Sequence, residues 1–232
     1  MFDGIILIDK PVDWTSFDVV AKIRGTVSSG QNKRVKVGHS GTLDPFATGL
    51  LIILLGRYTK RAEELMKLDK TYEVTLKLGE RSTTGDPEGE KSVTSSVMPS
   101  KSDIEAALKK LIGKQMQRPP AYSAIKINGQ RSYDLARAGK AVELEPRAVT
   151  VYDNVLSRYE YPLVHFTSTV SSGTYIRVLV EAIGEVLGVG AYTTDLRRTK
   201  VGNYDVKDSI SVLKCSSTEI AKRLRPIDEN KN

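Results

Sequence analysis

The sequence predicts an α/β domain, and three patterns carry that expectation. Leu50 to Leu55 is an unbroken apolar run too short to span a membrane, which reads as a core segment. Tyr72, Val74, Leu76 and Leu78 alternate with Thr71, Glu73, Thr75 and Lys77, the period of a half-buried strand. Two stretches place apolar residues at helical spacing: Ile104, Ala107, Leu108, Leu111, Ile112, and Ile176, Leu179, Val180, Ile183, Leu187. With 232 residues the chain is long enough to bury a sizeable core. We expect one domain over residues 1–232, built on a large mixed, mainly antiparallel sheet with helices packed against it.

In chain order, Ile5 to Ile8 reads as a short buried strand ending at Lys10-Pro11, where proline removes a ladder donor. Thr15 with Asp18 offers a weakened capping box, and Val19, Val20 and Ile23 give the following helix its apolar side, with Gly25 or Gly30 expected to end it. After the strand at 71–78, Gly79 to Gly89 is rich in Thr, Asp and Gly and reads as turns. Ser102 with Glu105 is the expected capping box of the 104–112 helix, with Gly113 as its C′ residue. Val149 to Val155 and Val164 to Val170 read as strands, with His165 on an exposed side. A helix follows Ser171-Ser-Gly-Thr-Tyr and ends at Gly188, and Glu219 to Leu224 closes the chain. We find no internal repeat, low-complexity tract or linker.

Composition excludes several chemistries. Apolar content of 40% and charged content of 27% fit a soluble globular protein. No signal-peptide pattern opens the chain, so a cytoplasmic location is expected. One cysteine, Cys215, cannot form an internal disulfide, and with only His39 and His165 beside it no Cys/His zinc site can be assembled. Neither a Walker loop nor a dinucleotide fingerprint is present. Chemistry therefore has to run on carboxylates, hydroxyls and cations. A formal charge of +7 favours a polyanionic partner, nucleic acid above all.

The stretch from Lys36 to Leu50 concentrates what remains. It sets His39, Asp44 and three glycines (Gly38, Gly41, Gly49) between the basic run Lys33 to Lys36 and the apolar run. Glycines let backbone approach a ligand, and loops held by rigid elements are where catalytic groups sit. Asp44 precedes Pro45, which holds it extended. Taken alone, Asp44-Pro45 reads first as a turn, and Tyr72 first as core. The stretch 115–139 interleaves Arg118, Lys126, Arg131 and Arg137 with Tyr122 and Tyr133, which suits cations on phosphates and rings on bases; its plain alternative is a basic insertion with a short helix, Ser132 to Ala138. Arg177 lies in a helix first turn, where a cation gains nothing from the dipole, so an anionic partner is expected. Asp195 to Lys200 forms a second basic cluster.

Lys10-Pro11 with Thr15-Ser16, Gly38-His-Ser-Gly-Thr-Leu-Asp-Pro-Phe-Ala-Thr-Gly49, Lys70-Thr-Tyr72, Pro119-Pro-Ala-Tyr-Ser-Ala-Ile-Lys126, and Gly173-Thr-Tyr-Ile-Arg177 through Leu196-Arg-Arg-Thr199 occur in one order. This set closely resembles the TruB family of tRNA pseudouridine synthases, from about residue 3 to residue 228, and several ordered motifs are far more specific than one. The resemblance implies a pseudouridine-synthase catalytic fold. It also implies conversion of uridine 55 in the T arm of transfer RNA to pseudouridine, without cofactor or metal. Asp44 is then the essential carboxylate. Tyr72 packs on the target base and assists removal of the C5 proton, and Arg177 pairs with Asp44. His39 stands where the base leaves the stack, and Leu196 lines the pocket. Gly38, Lys36, Arg118, Tyr122, Lys126, Arg137 and Arg197 are the candidate RNA contacts.

These residue types suit the reaction. The N1 glycosidic bond must break, the uracil must turn, and C5 must bond to C1′. A carboxylate can attack C1′ or stabilise cationic character there, as in glycoside hydrolysis. The loose base needs an apolar, aromatic-walled enclosure. A uridine in a folded arm must be flipped out, at a cost of a few kcal/mol that the basic segments can supply. Residues 115–145 are expected to form an RNA-binding insertion that closes over the substrate.

Relatives commonly continue into a small C-terminal RNA-binding domain of the PUA type, and none is expected in this chain, which ends at Asn232. No membrane association and no obligatory protein partner are expected, and the protein is read as a monomer. Two rivals stand beside the main reading. One takes Gly38-His-Ser-Gly41 as a GXXG clamp in a non-catalytic RNA-binding module, which leaves Asp44 and Arg177 without a role. The other is a glycosidase that releases free base.

Overall fold

The computed structural model describes residues 2–29, 34–120, 122–123, 126–127, 130–132 and 144–227, with backbone alone for Lys126, Ile127 and Arg131. Fourteen strands are defined among them. They are β1 (Gly4–Lys10), β2 (Val37–His39), β3 (Thr48–Leu55), β4 (Lys70–Leu78), β5 (Glu80–Ser82), β6 (Lys91–Val93) and β7 (Gly113–Gln117), then β8 (Lys126–Ile127), β9 (Gln130–Arg131), β10 (Arg147–Glu160), β11 (Leu163–Val170), β12 (Ala191–Val201), β13 (Tyr204–Asp205) and β14 (Ile210–Ser211). The α-helices are α1 (Ser16–Ser28), α2 (Ala62–Met66), α3 (Lys101–Lys110), α4 (Ile176–Val186) and α5 (Ser217–Arg223). None of them is long and apolar enough to cross a membrane. The expected class, a large mixed sheet with flanking helices, is the class observed. The chain forms two compact units, Met1–Thr71 with Arg197–Asn232, and Tyr72–Leu196.

In the first unit β3 is the organising strand. β1 pairs with it antiparallel from Gly4↔Leu55 to Lys10↔Gly49. Along the other edge β2 pairs antiparallel at its far end, Val37↔Leu55 to His39↔Ile53, and β12 pairs parallel at its near end, Arg197↔Thr48 and Arg198↔Gly49. The segment joining β2 to β3 is the Asp44 loop, so it emerges beside β12. β14 adds to β1 in parallel. Both faces of this sheet are covered. Ile6, Ile8, Leu51, Ile53 and Leu55 pack with Val19, Val20, Ile23 and Val27 of α1, while Ile5, Leu7, Leu50, Ile52 and Leu54 pack with Leu65, Val201, Tyr204 and Ile227. Two-sided burial is why the run shows no alternation.

In the second unit the strand order is β12-β4-β11-β10-β7. Tyr72, Val74, Leu76 and Leu78 are buried on one side of β4, as the alternation predicts. Ile104, Ala107 and Leu108 of α3 and Ile176, Leu179, Val180 and Ile183 of α4 are buried too, and Gly188, at φ 71°, follows the end of α4.

Several expectations need correction. Of the two glycines expected to end α1, Gly25 lies inside it and Gly30 is outside the described residues; the helix runs on to Ser28 because Val27 is buried in the core, a gain that offsets the roughly 1 kcal/mol a mid-helix glycine costs. The α3 capping box is Ser100 with Asp103, two residues earlier than Ser102 with Glu105. The Asp103 carboxylate accepts from the Ser100 N–H at 2.8 Å and the Asp103 N–H donates back to Ser100 Oγ at 3.2 Å. Gly113, at φ 113°, opens β7 rather than capping α3, and Ile112 is exposed. Residues 115–117 of the basic stretch therefore belong to a strand paired with β10. β10 itself extends to Glu160. Register shifts after Val151 and after Leu156 reset the period of two and hide its second half from pattern reading. The turn region after β4 contains β5, which pairs antiparallel with β6 just beyond it. His165 is half-buried, with Nδ1 at 3.0 Å from Thr75 Oγ1, rather than freely exposed. The expected helix at 132–138 lies outside the described residues apart from its first position.

Candidate active site

The Asp44 loop is held by its carbonyls. Reading along it, Gly41 O and Thr42 O accept from the Arg198 guanidinium, both at 3.3 Å. Leu43 O accepts from Ser16 Oγ at 3.1 Å, and that hydroxyl accepts from the Leu43 N–H at 2.8 Å. Asp44 O accepts from the Ala47 N–H at 3.1 Å. Pro45 O accepts from Lys10 Nζ at 3.1 Å and from the Asp13 N–H at 2.9 Å. Five successive carbonyls are thus engaged, while the Asp44 side chain remains half-exposed. Asp44-Pro45-Phe46-Ala47 is the turn that the dipeptide suggests, and the carbonyls on either side of it are tied to Arg198, Ser16 and Lys10.

Two of its clamps are cations hidden from solvent, Lys10 at 0% and Arg198 at 2% exposure. Lys10 Nζ donates also to Pro11 O at 2.9 Å and Trp14 O at 2.6 Å, so its three protons meet three carbonyls. Burial pulls the Lys10 ammonium down to about 8, and the charges of Asp44 and Asp13 oppose that pull. In the sequence Lys10 reads as the end of a strand and part of the Lys10-Pro11 motif, and Arg198 as one cation of a basic cluster; neither is singled out as buried. The structure divides that cluster: Arg198 is buried between the half-buried Arg197 and Thr199, while Asp195 and Lys200 are exposed.

His39 ends β2 half-buried, and its Nδ1 accepts from the Gly41 N–H at 3.3 Å. Gly38 is half-buried in β2, and Lys36 just before it is exposed. Arg197 is engaged with Asp9, Nη2 to Oδ2 at 2.8 Å, and stays partly exposed.

In the second unit Tyr72 is buried on β4 and Leu196 is buried at the unit's end of β12. Arg177 is 3% exposed at the start of α4. Its Nη1 donates to Thr84 O at 2.8 Å and pairs with Asp86 Oδ2 at 3.2 Å, while Nη2 donates to Tyr122 O at 2.8 Å. Asp86 is itself buried and accepts from the Glu88 N–H at 3.0 Å. The sequence called for an anion beside Arg177 but did not single out Asp86, which sat unremarked in the 79–89 turn region. Glu181, one turn along α4, has its carboxyl pushed up by burial against the pull of Arg177. Gln117 braces the same helix start, its amide spanning Tyr175 N at 2.7 Å and Tyr175 O at 3.0 Å.

Tyr122 is thus brought to Arg177 by its carbonyl, and Arg118 is exposed just beyond β7. Lys126 lies in β8, with its backbone alone described, and Arg137 lies outside the described residues.

Residues 30–176 match the model of the TruB family pseudouridylate synthase N-terminal domain, and residues 177–229 match the tRNA pseudouridylate synthase B C-terminal domain. The chain belongs to the TruB family. The TruB relative from Chlorobaculum tepidum, named tRNA pseudouridine synthase B, is 48% identical over 210 residues, covering 89% of this chain and 87% of the relative. A protein of the same name from Burkholderia lata is 42% identical over 231 residues, covering 98% of this chain and 70% of the relative. Among solved structures, a chain of a Cbf5-Nop10-Gar1 complex superposes with a TM-score of 0.70 at 30% identity; the match takes in 90% of this chain and about half, 52%, of that one.

Proposed function

We propose that this TruB-family chain isomerises uridine to pseudouridine at position 55 in the T arm of transfer RNA, with Asp44 as the essential carboxylate and no cofactor. The observation that carries this reading is the loop itself: five successive carbonyls are bound, and the side chain they present is an acid. A nucleophile or ion-stabilising group gains most when its position is fixed before substrate arrives. Family membership supplies the reaction class.

In this reading His39 stands where the flipped uridine leaves its stack. The Asp44 carboxylate attacks C1′ or stabilises its cationic character as the N1 bond breaks, and the uracil turns within a pocket walled by Tyr72 and Leu196. C5 then bonds to C1′, and the C5 proton leaves with the help of Tyr72. Arg177 belongs to the catalytic set in this reading, and its guanidinium is held by Asp86, Thr84 O and Tyr122 O. Lys36, Arg118, Lys126, Arg137 and Arg197 hold phosphates, with Gly38 and Tyr122 completing the surface, and residues 115–145 close over the RNA. A single catalytic domain over residues 1–232 and a monomeric protein belong to the same reading.

The test is tritium release from C5-labelled, unmodified transfer RNA. Wild-type protein is expected to release tritium from position 55, and Asp44→Asn to fold, bind the T arm and release none. RNA binding without turnover by the wild type would favour the GXXG clamp module. Free uracil among the products would favour a glycosidase.

A further inference from the structure

Arg198 is the largest fully buried side chain among the described residues, and no carboxylate among them forms a salt bridge with it. Its Nε donates to Leu50 O at 2.8 Å, Nη1 to Thr42 O at 3.3 Å and Nη2 to Gly41 O at 3.3 Å. Burying a guanidinium against carbonyl dipoles alone is costly, so a core position that needed only volume would be filled by an apolar residue. The three carbonyls lie on both sides of Asp44 along the chain: two precede it, and one lies within β3, which is anchored in the core. A planar fork with fixed donor directions can tie such a set together, whereas an ammonium on a flexible stem cannot.

The backbone is arranged to allow it. Gly49, at φ 103°, pairs with Arg198 in parallel register, and a Cβ there would meet Arg198 O at 2.3 Å. Only a residue without a side chain lets β12 lie this close to the end of the loop.

We propose that Arg198 is a positioning residue: it sets where the Asp44 carboxylate stands by holding Gly41 and Thr42 to the start of β3, without touching RNA. The inference rests on Asp44 being the reacting group. Lys10 and Ser16 hold Pro45 and Leu43, the immediate neighbours of Asp44, so they keep the loop closed when Arg198 is changed. What is lost is the aim of the loop. A misplacement of about 1 Å at a reacting group costs on the order of 100-fold in rate.

The experiment measures single-turnover pseudouridine formation and equilibrium RNA binding on an unmodified T-arm stem-loop, with melting temperature, for the wild type, Arg198→Lys, Arg198→Ala and Asp44→Asn. Arg198→Lys is expected to bind RNA within about twofold of the wild type and to react roughly tenfold to 100-fold more slowly. Low-millimolar guanidinium is expected to restore part of the rate to Arg198→Ala and none to Asp44→Asn. The proposal is overturned if Arg198→Lys reacts within about threefold of the wild type, or if its rate and RNA affinity fall together with no rescue of the alanine variant. Should Arg198→Ala fail to fold, the lysine variant alone decides through the same split between rate and binding. A wild type that binds the stem-loop but forms no pseudouridine sinks the proposed function itself.

Discussion

Lys10 shows how much of this site depends on charges placed where water cannot reach. Its ammonium needs all three protons to serve Pro11, Trp14 and Pro45, and a neutral amine has two. Because burial brings the group from 10.5 to about 8, the folded protein releases this proton before the unfolded chain does. Between those values the unfolded chain binds more protons, so the contribution of Lys10 to stability rises with pH. The charged form carries its desolvation cost in full below pH 8. Two outcomes are expected. The wild type should gain urea resistance between pH 8 and 10.5 relative to Lys10→Met, measured as the shift in midpoint; equal slopes for the two proteins would refute the assignment. Turnover should decline over the same range as the carbonyl of Pro45 loses its donor and the Asp44 loop loosens, with RNA affinity at fixed salt changing less than the rate. Lys70, which burial also brings to about 8, adds a parallel stability term, and Lys10→Met isolates the first.

At the scale of elements, the decisive contact is between β3 and β12. Gly49 and Arg198 stand opposite one another, and the absent side chain of the first makes room for the backbone of the second. Gly49→Ala combines a positive φ with a backbone collision, so it is expected to destabilise the protein by more than about 2 kcal/mol, read from a denaturant titration. A change below about 0.5 kcal/mol would mean that the strands part easily there. The helices were more legible. Thr15 with Asp18 and the apolar faces of α1 and α4 are local signals, written within one or two turns of chain. β10 was half legible, because its irregular register breaks the alternation that reveals a strand. The α3 cap was misplaced because Ser100 with Asp103 and Ser102 with Glu105 satisfy the same local pattern, and the pattern alone cannot rank them.

At the scale of the whole molecule, the +7 charge bears on how a polyanion is captured rather than on the chemistry. Binding of transfer RNA should weaken steeply with salt, with log affinity falling by roughly 0.7 to 0.9 per phosphate contact for each tenfold rise. Replacing exposed Lys36 or Arg118 by glutamine should lower that slope by about one contact each and leave the single-turnover rate at saturating enzyme unchanged. A rate loss in Lys36→Gln at saturation would place that residue in the chemistry instead. Arg198 is no part of this surface, although its sequence neighbourhood reads as basic: in a strand, adjacent residues face opposite ways, so a run of cations divides between solvent and core.

The sequence by itself determined the fold class, the burial of the run from Leu50 to Leu55, the helix faces and, through ordered motifs, the family. These are properties of periodicity and local order, which a chain carries along its length. Only the tertiary structure decided that Lys10 and Arg198 are buried clamps, that Asp86 is a counter-ion of Arg177, and that five carbonyls around Asp44 are engaged. Those facts join residues up to 157 positions apart, and hydrogen-bond partners at such separation leave no periodic trace. A cation reads the same in a sequence whether it meets water or a carbonyl, and its surroundings alone separate the two.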